Sequence, residues 1–220
     1  MGRAEHEGGH LSITLIDSPV ANVANIARAL RAAGAGLRVT RDASAIANAE
    51  KLVLPGVGSF IAAMQWLTET RIDAAIREAV SRGAALLGIC VGHQLLFESS
   101  EEMGTTNGLG LLRGDVRRFE GPLPVPQIGW NRVCGGQAIL PVRTGEIACP
   151  PLFDGIANGT AFYFVHSFAA RGVASEIATA EYNGPFTAAA QQGRVFGVQF
   201  HPEKSSTAGL RVLRNFIACS

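Results

Sequence analysis

The first part of the chain alternates between short apolar runs and stretches in which apolar residues recur at helical spacing. Runs of the first kind predict buried strands, and stretches of the second kind predict amphipathic helices. Strands are predicted at residues 11–16, 37–40, 51–54 and 84–89, and helices at 22–33, 43–49, 60–67 and 71–82. Strands that alternate with helices form parallel sheets with helices on both faces. We therefore predict an α/β fold with a parallel sheet.

Beyond about residue 110 the apolar runs become shorter and are separated by glycine and proline. They fall at residues 116–119, 138–140, 161–167, 177–181, 187–191 and 195–200, and a last helix is expected at 208–218. Short runs bounded by turn residues are typical of antiparallel or mixed strands. The complete prediction is a mostly parallel sheet with antiparallel strands in the C-terminal half and helices on both faces.

Size and composition indicate one globular domain. Apolar residues make up 47% of the 220 residues and charged residues 17%, a balance that favours a packed core over disorder. No linker or internal repeat divides the chain, so we expect a single domain over residues 11–220. Residues 1–10 are polar and lack periodicity, and we expect them to form a disordered tail.

Charge and cysteine content argue against several classes of protein. Lysine and arginine number 19 against 18 aspartates and glutamates, without a long basic run, so nucleic acid is not an expected partner. No apolar stretch reaches the roughly 20 residues that span a membrane. The four cysteines form no CxxC pair, and at least three are expected to be small buried residues. These features indicate a cytoplasmic protein without a metal site.

A cysteine stands where an apolar strand is expected to turn into a helix. Residues 84–94 have the sequence A-A-L-L-G-I-C-V-G-H-Q, with Cys90 at the corner, Gly88 two residues before it and Gly92 two residues after it. A sharp strand-to-helix turn strains the backbone of a nucleophile and leaves no room for side chains on its neighbours. The pattern predicts a nucleophile elbow, although a buried cysteine in an ordinary junction explains this segment equally well.

A histidine and a carboxylate follow a second apolar strand. Residues 195–203 have the sequence V-F-G-V-Q-F-H-P-E, in which Pro202 keeps the link between His201 and Glu203 extended. Cysteine, histidine and carboxylate together are the parts of covalent acyl transfer. The combination favours a catalytic site over a surface histidine that merely follows a strand.

A glycine-containing segment, P-G-V-G-S at residues 55–59, follows a third predicted strand. At the carboxyl edge of a parallel sheet it would lie beside Cys90, where its backbone N–H groups could bind an oxyanion. A dinucleotide-binding loop is the competing interpretation, but the third glycine of G-x-G-x-x-G is missing. We therefore expect no nucleotide cofactor.

The segments P-G-V-G, G-I-C-V-G-H-Q and H-P-E, in that order, resemble the motifs of the class I (triad) glutamine amidotransferases. The resemblance covers residues 11–216 and implies a flavodoxin-like sheet. Segments G-W-N at 129–131, Y-F-V-H-S at 163–167 and P-F-T-A-A at 185–189 are similar to the glutaminase subunits of imidazole glycerol phosphate synthase. The chain departs from that pattern in two places: His93 replaces the usual methionine, and Gln127 and Ile128 replace the usual His-Met pair.

The resemblance implies hydrolysis of glutamine to glutamate and ammonia, without a cofactor. Cys90 attacks the side-chain amide, His201 protonates the departing ammonia and then activates water, and Glu203 orients His201. The implied oxyanion donors are the backbone N–H groups of Val91 and, after a peptide rearrangement, Val57. The residues expected to bind glutamine are Gly56, Gly58, Gln94, Glu102, His166 and Ser167. Three of these side chains also have a structural alternative. Gln94 could be a solvated or capping residue of a helix, Glu102 could lie on a solvated surface, and His166 could be a histidine at the end of a strand.

The same resemblance implies a second chain. Ammonia released into water would be protonated and lost, so the family joins the glutaminase to a separate cyclase subunit. That cyclase is a (β/α)₈ barrel that forms imidazole glycerol phosphate and AICAR in histidine biosynthesis. Such a barrel needs about 250 residues, and the 220 residues of this chain are already occupied by the amidotransferase domain. We therefore expect the cyclase to be a separate chain and the complex to be a heterodimer. The positions that match partner-facing residues are Asn22, Asn25, Trp130, Asn131 and Lys204. These residues could also be purely structural: Asn22 a helix cap, Trp130 a core residue and Lys204 a solvated charge.

Three alternatives remain. The first is a paralogous amidotransferase that supplies ammonia to a different acceptor subunit. The second is a catalytically degenerate glutamine-binding regulatory protein, which would have lost a catalytic residue or an oxyanion-loop glycine, yet Cys90, His201, Glu203 and both loop glycines are present. The third is a free-standing γ-glutamyl hydrolase or cysteine peptidase, which would leave the G-W-N and Y-F-V-H-S segments unexplained.

Overall fold

The structure, a computed structural model, describes residues 12–19, 21–135 and 152–219. Its first half alternates strands and helices, as predicted. The strands are β1 (Ser12–Ile16), β2 (Gly36–Thr40), β3 (Lys51–Gly56) and β4 (Ala85–Cys90). The helices are α1 (Val23–Ala32), α2 (Ala43–Ala47), α3 (Phe60–Glu69), α4 (Ile72–Ser81) and α5 (Val91–Gln94).

The second half consists mainly of strands and ends in a helix. Its strands are β5 (Ser99–Ser100), β6 (Thr106–Asn107), β7 (Asp115–Arg118), β8 (Gln127–Gly135), β9 (Thr160–His166), β10 (Phe168–Ala170), β11 (Glu176–Glu181), β12 (Pro185–Gln192) and β13 (Val195–Val198). A 3₁₀ turn at Pro202–Lys204 leads into α6 (Ser206–Ala218).

Among the described residues, nine strands form one sheet in the order β2-β1-β3-β4-β13-β12-β11-β8-β9. The pairs from β2 through β13 are parallel, and those from β13 through β9 are antiparallel. A second, smaller sheet has the order β10-β7-β5-β6. The predicted fold class, with antiparallel strands in the C-terminal half, is confirmed.

The centre of the large sheet determines where a site can form. β4 and its neighbours β3 and β13 are buried along their whole lengths, as expected for parallel strands covered on both faces. Because these three strands are parallel, their carboxyl ends meet at one edge of the sheet. Ligands bind at that edge in sheets of this type.

The main departure from the sequence-based prediction is β8, a nine-residue strand that no apolar run predicted. Only Gln127 and Val133 of this strand are buried, the residues between them are partly or fully exposed, and they include Gly129, Asn131 and Arg132. These residue types are depleted or unremarkable in strands, so the local signal is weak. The strand predicted at 138–140 and the tail predicted at 1–10 lie outside the described residues.

Two expectations drawn from composition can be compared with the structure. At least three small buried cysteines are expected: Cys90 and Cys219 are buried, Cys134 is exposed near the end of β8, and Cys149 lies outside the described residues. Cys219 is buried but disulfide-bonded. In the described ranges, no helix is long and apolar enough to cross a membrane.

Candidate active site

Cys90 lies at the corner between β4 and α5, where its backbone dihedrals are φ 55° and ψ −111°. A positive φ is a strained conformation for a residue other than glycine. Both flanking glycines are required for close approach: a Cβ on Gly92 would lie 1.9 Å from the Leu54 carbonyl oxygen, and one on Gly88 would lie 2.5 Å from that of Gly92. The strand-to-helix corner expected from the sequence is present.

His201 reaches the same edge of the sheet because β13 runs parallel to β4. The backbone N–H of His201 donates to the Tyr163 carbonyl at 2.9 Å, and the backbone carbonyl of His201 accepts from the Ser205 hydroxyl at 2.6 Å. Its Nδ1 lies 2.9 Å from Oε1 of Glu203. The side chains of His201 and Glu203 are only 4% and 3% exposed. Strand pairing and the carboxylate thus hold the imidazole in one orientation.

The surroundings of His201 favour its protonated form. Burial lowers the pKa of His201, but hydrogen bonds to the side chains of Cys90 and Glu203, together with their negative charges, outweigh burial and raise the pKa to about 10. At neutral pH the imidazole is therefore protonated, between a sulfur and a carboxylate. An imidazolium in that position can give a proton to a group that leaves a sulfur-bound carbon.

A cavity of about 490 Å³ opens beside Cys90 and His201. Most of the residues predicted to bind the substrate or its oxyanion line it, namely Val57, Gly58, Val91, Gln94, Glu102, His166 and Ser167. Gly56 does not line it but packs so closely that a Cβ would come within 2.8 Å of the Gly92 nitrogen. Glu203 is also absent from the wall and touches His201 instead. Within the described ranges, no group of three or more His, Cys, Asp and Glu residues could hold a metal ion.

One backbone carbonyl orients two side chains of the cavity wall. The Phe168 oxygen accepts from Nε2 of Gln94 at 2.8 Å and lies 2.9 Å from Nδ1 of His166. Because a carbonyl only accepts, Nδ1 of His166 carries the proton and Nε2 is an acceptor. Burial lowers the pKa of His166 to about 4; the Phe168 carbonyl opposes this shift, and the charge of His201 adds to it. His166 is therefore neutral at pH 7.

Glu102 has a structural partner as well as a place in the cavity wall. Its Oε2 accepts the N–H of Phe60, the first residue of α3, at 2.7 Å. Ser59, at the N-cap position, makes no capping hydrogen bond of its own, so Glu102 satisfies a free donor of this helix end. The carboxylate still borders the cavity. The structural and ligand-binding interpretations of Glu102 are therefore compatible.

His93 packs on the underside of the elbow and does not line the cavity. It is fully buried, and its ring meets Phe97 edge-on with centroids 5.1 Å apart. A Cβ on Gly197 of β13 would lie 2.1 Å from its Nδ1. Burial, with a contribution from the charge of His166, lowers the pKa of His93 to about 3, against a smaller opposing effect of the Thr187 backbone. His93 is therefore a neutral packing residue.

Two groups that contact the sulfur of Cys90 were not predicted from the sequence. Nε2 of Gln199 lies 3.9 Å from Sγ, and Sγ lies 3.8 Å from the carbonyl oxygen of Val165. The position of a backbone carbonyl cannot be recognised from residue types. Gln199 could have been recognised, because it is a polar residue within the apolar run at 195–200. It stands two residues before His201, so in an extended chain both side chains lie on the same side.

The predicted partner-facing residues of the first half are Asn22 and Asn25, at the start of α1. Asn22 lines the cavity, and its Oδ1 accepts the N–H of Asn25 at 3.2 Å, which caps α1. Oδ1 of Asn25 accepts from Arg28 on the same helix at 3.2 Å. The helix-cap alternative is thus confirmed for Asn22, although the residue remains exposed.

The predicted partner-facing residues of the second half lie on β8 and after β13. Trp130 is 57% exposed, so the core alternative is wrong for it. It meets the ring of Tyr163 edge-on at 6.1 Å, and Nζ of Lys204 lies 5.4 Å from the same ring. Lys204 also lines the cavity. Asn131 donates to the Glu181 carbonyl at 2.9 Å.

Comparison with known proteins agrees with this geometry. Residues 14–219 match the family model described as class-I glutamine amidotransferase. A Moorella thermoacetica protein named imidazole glycerol phosphate synthase subunit HisH is 46% identical over 206 residues, which cover 93% of each chain. A Thermococcus kodakarensis protein of the same name is 44% identical over 210 residues, which cover 93% of this chain and 98% of that protein. The chain belongs to the HisH family of class-I glutamine amidotransferases.

Solved structures of more distant proteins share the fold of this HisH-family chain. A crystal structure described as a glutamine amidotransferase has a TM-score of 0.68 at 20% identity, covering 94% of this chain and 98% of the other. A structure of PurLQS from Thermotoga maritima has a TM-score of 0.67 at 17% identity, with the same coverage of 94% and 98%. At such low identity these likenesses concern the fold alone.

Proposed function

We propose that this HisH-family chain is the glutaminase subunit of imidazole glycerol phosphate synthase in histidine biosynthesis. It hydrolyses glutamine to glutamate and passes the ammonia to a separate cyclase subunit. The main observation in support is the meeting of Cys90, His201 and Glu203 beside one cavity at the carboxyl edge of the sheet. Relatives that bear this subunit's name match 93% of the chain.

The first chemical step forms a thioester. Sγ of Cys90 attacks the side-chain carbonyl carbon of glutamine, and negative charge moves to the carbonyl oxygen. The N–H groups of Val91 and, after a peptide rearrangement, Val57 stabilise that oxyanion. When the carbonyl re-forms, the C–N bond breaks. The imidazolium of His201 gives its proton to the departing nitrogen, which leaves as ammonia.

The second step hydrolyses the thioester. Its formation removes the charge of Cys90, which had helped to raise the pKa of His201. The neutral imidazole, oriented by Glu203, can then accept a proton from water while the water oxygen attacks the thioester carbon. The C–S bond breaks, glutamate leaves, and the sulfur and the protonated His201 are restored.

The cavity wall offers partners for the other end of glutamine. The carboxylate of Glu102 suits the α-ammonium group, since charge-assisted hydrogen bonds are stronger than neutral ones. Neutral groups of Gln94, His166 and Ser167 suit the α-carboxylate and the side-chain amide. Gly56 and Gly58 allow the backbone to approach the substrate closely, Gly56 by packing beneath the elbow.

The cyclase subunit is proposed to bind over the rim that holds Asn22, Trp130 and Lys204. Trp130 is 57% exposed and lies beside Tyr163, whose ring is approached by Nζ of Lys204. An exposed aromatic side chain of this kind is typical of an interface anchor. Asn25 and Asn131 extend the same proposed surface. Since Asn22 and Lys204 also line the cavity, a partner on this surface would receive ammonia directly from the site.

We propose a cytoplasmic location, because the phosphorylated substrate of the cyclase does not cross membranes freely. The disulfide at Cys219 is the feature that argues against a reducing compartment.

The test of this function is glutamate release from glutamine by the purified chain, alone and with the cyclase subunit plus its ribonucleotide substrate. We expect strong stimulation by the loaded cyclase, loss of activity in Cys90→Ala, and normal activity in Cys134→Ala, which removes an exposed thiol outside the cavity. Activity that ignores the partner would indicate another acceptor or a free-standing hydrolase. Silence in every mixture would favour a degenerate protein.

A further inference from the structure

A fully buried glutamine lies beside the nucleophile and has no part in the steps above. Gln199 has a relative exposure of 0% and follows β13. Its Nε2 lies 3.9 Å from Sγ of Cys90, at the long end of hydrogen bonds to sulfur, and its Oε1 accepts from Nε2 of Gln94 at 3.1 Å. Gln199 therefore connects the sulfur to a residue of the cavity wall.

The orientation of both amides follows from their partners. Nε2 of Gln94 donates to the Phe168 carbonyl at 2.8 Å, and a carbonyl can only accept, so the nitrogen of Gln94 is identified. The second proton on that nitrogen points to Gln199, which must therefore present its oxygen to Gln94. The remaining amide group of Gln199, its NH₂, then faces the sulfur.

The sulfur of Cys90 thus lies between groups of opposite preference. The Val165 carbonyl, 3.8 Å away, can only accept, so it favours the S–H form. The N–H of Gln199 can only donate, so it favours the negatively charged sulfur. A hydrogen bond to a charged acceptor is stronger than one to a neutral acceptor. His201, which is charged, also contacts this sulfur.

We propose that Gln199 is a positioning residue that holds Cys90 as the thiolate by donating an N–H to its sulfur, in an orientation that Gln94 imposes. The proposal rests on the glutaminase function proposed above. It predicts that the protonation state of the nucleophile depends on Gln199 even though Gln199 does not line the cavity.

Two variants separate the donor from the fold. Gln199→Met keeps the approximate volume and removes the N–H. Gln199→Glu keeps an oxygen for Gln94 and places a second oxygen against the sulfur. The matched control is Gln191→Met, which removes a glutamine of β12 whose Nε2 bonds to the Gly193 carbonyl, away from the sulfur. Thermal unfolding of each variant reports whether the fold is retained.

The measurement is the rate at which iodoacetamide alkylates Cys90 from pH 5 to pH 9, followed on Cys134→Ala chains so that the exposed thiol does not react. We expect the rate at pH 7 to fall about threefold to tenfold in Gln199→Met and further in Gln199→Glu, with the midpoint of the pH profile moved upward. Gln191→Met should follow the unsubstituted profile.

Unchanged midpoints in both Gln199 variants that still fold would overturn the proposal, because a purely structural residue would lower reactivity without moving the profile. If Gln199→Met unfolds, Gln199→Glu alone decides the outcome, and if both unfold, Gln199 is a structural residue and the proposal fails. Failure here is distinct from failure of the glutaminase function, which shows as absence of glutamate release by the unsubstituted chain with its loaded partner.

Discussion

Nδ1 of His201 lies 2.9 Å from Oε1 of Glu203, and both side chains are almost completely shielded from solvent. The carboxylate holds a proton on Nδ1 and so leaves Nε2 for the sulfur of Cys90, which forms the other side-chain hydrogen bond of His201. The second carboxylate oxygen, Oε2, is buried and has no hydrogen-bond partner among the described residues. Glu203 therefore interacts chiefly with this one imidazole.

Replacing Glu203 by glutamine should lower kcat for glutamine hydrolysis by about 10²- to 10⁴-fold with little change in KM, because the amide can no longer stabilise the imidazolium. Steady-state kinetics with the loaded cyclase subunit measure both constants. Glu69→Gln, at an exposed position of α3, is the matched control and should be neutral. A normal kcat for Glu203→Gln would show that His201 works without this carboxylate.

Replacing Glu102 by glutamine separates helix capping from substrate binding. The amide oxygen can still accept the Phe60 N–H, so stability should change by less than about 1 kcal/mol. The charge opposite the substrate ammonium is lost, so KM for glutamine should rise about 10-fold or more. Glu102→Ala should raise KM and also lower stability. Equal KM values for Glu102→Gln and the unsubstituted chain would remove Glu102 from the glutamine pocket.

The local parts of the site could be predicted from the sequence, whereas the contacts between distant segments could not. Cys90 and Gly92 form a motif within a few residues, and His201 and Glu203 form another. By contrast, Gln199 and Cys90 are 109 positions apart, and Gln94 and Phe168 are 74 positions apart. Such pairs depend on which strands become neighbours, and a single sequence does not state that pairing.

The fold shows the same division. β1, β3 and β4 are mostly apolar because nearly all of their residues are buried, whereas β2, at the edge of the sheet, has no buried residue; the sequence predicted all four. β8 has one face toward solvent and carries Trp130 and Asn131, so its apolar content is low. Its membership of the sheet depends on pairing with β9 and β11, which lie far along the chain.

Acid should destabilise the protein in part through His93. Its folded pKa of about 3 is below the ordinary value of 6.5, so the unfolded chain binds this proton first and stability falls as pH drops below about 6.5. His93→Met lacks that penalty. Between pH 7 and pH 5 the free energy of unfolding of the unsubstituted chain should therefore fall by about 1–2 kcal/mol more than that of His93→Met. Urea titrations at both pH values measure it, and parallel losses would contradict a neutral, buried His93.

Trp130 should act as an anchor for the cyclase subunit. Trp130→Ala is expected to raise the cyclase concentration needed for half-maximal stimulation by about 30-fold, with little change in thermal stability because the side chain is 57% exposed. Val39→Ala is the matched control, since Val39 is 40% exposed on β2, far from β8 in the strand order. An unchanged half-maximal concentration for Trp130→Ala would place the interface elsewhere.

Covalent trapping can show whether Cys90 is the nucleophile that attacks glutamine. The chain with its loaded cyclase partner is incubated with the glutamine analogue 6-diazo-5-oxonorleucine, and the modified residue is located by peptide mass spectrometry. We predict one adduct, on Cys90, that excess glutamine suppresses and that Cys90→Ala abolishes. An adduct on Cys134 alone, or glutamine-protected labelling that persists in Cys90→Ala, would show that Cys90 is not the nucleophile.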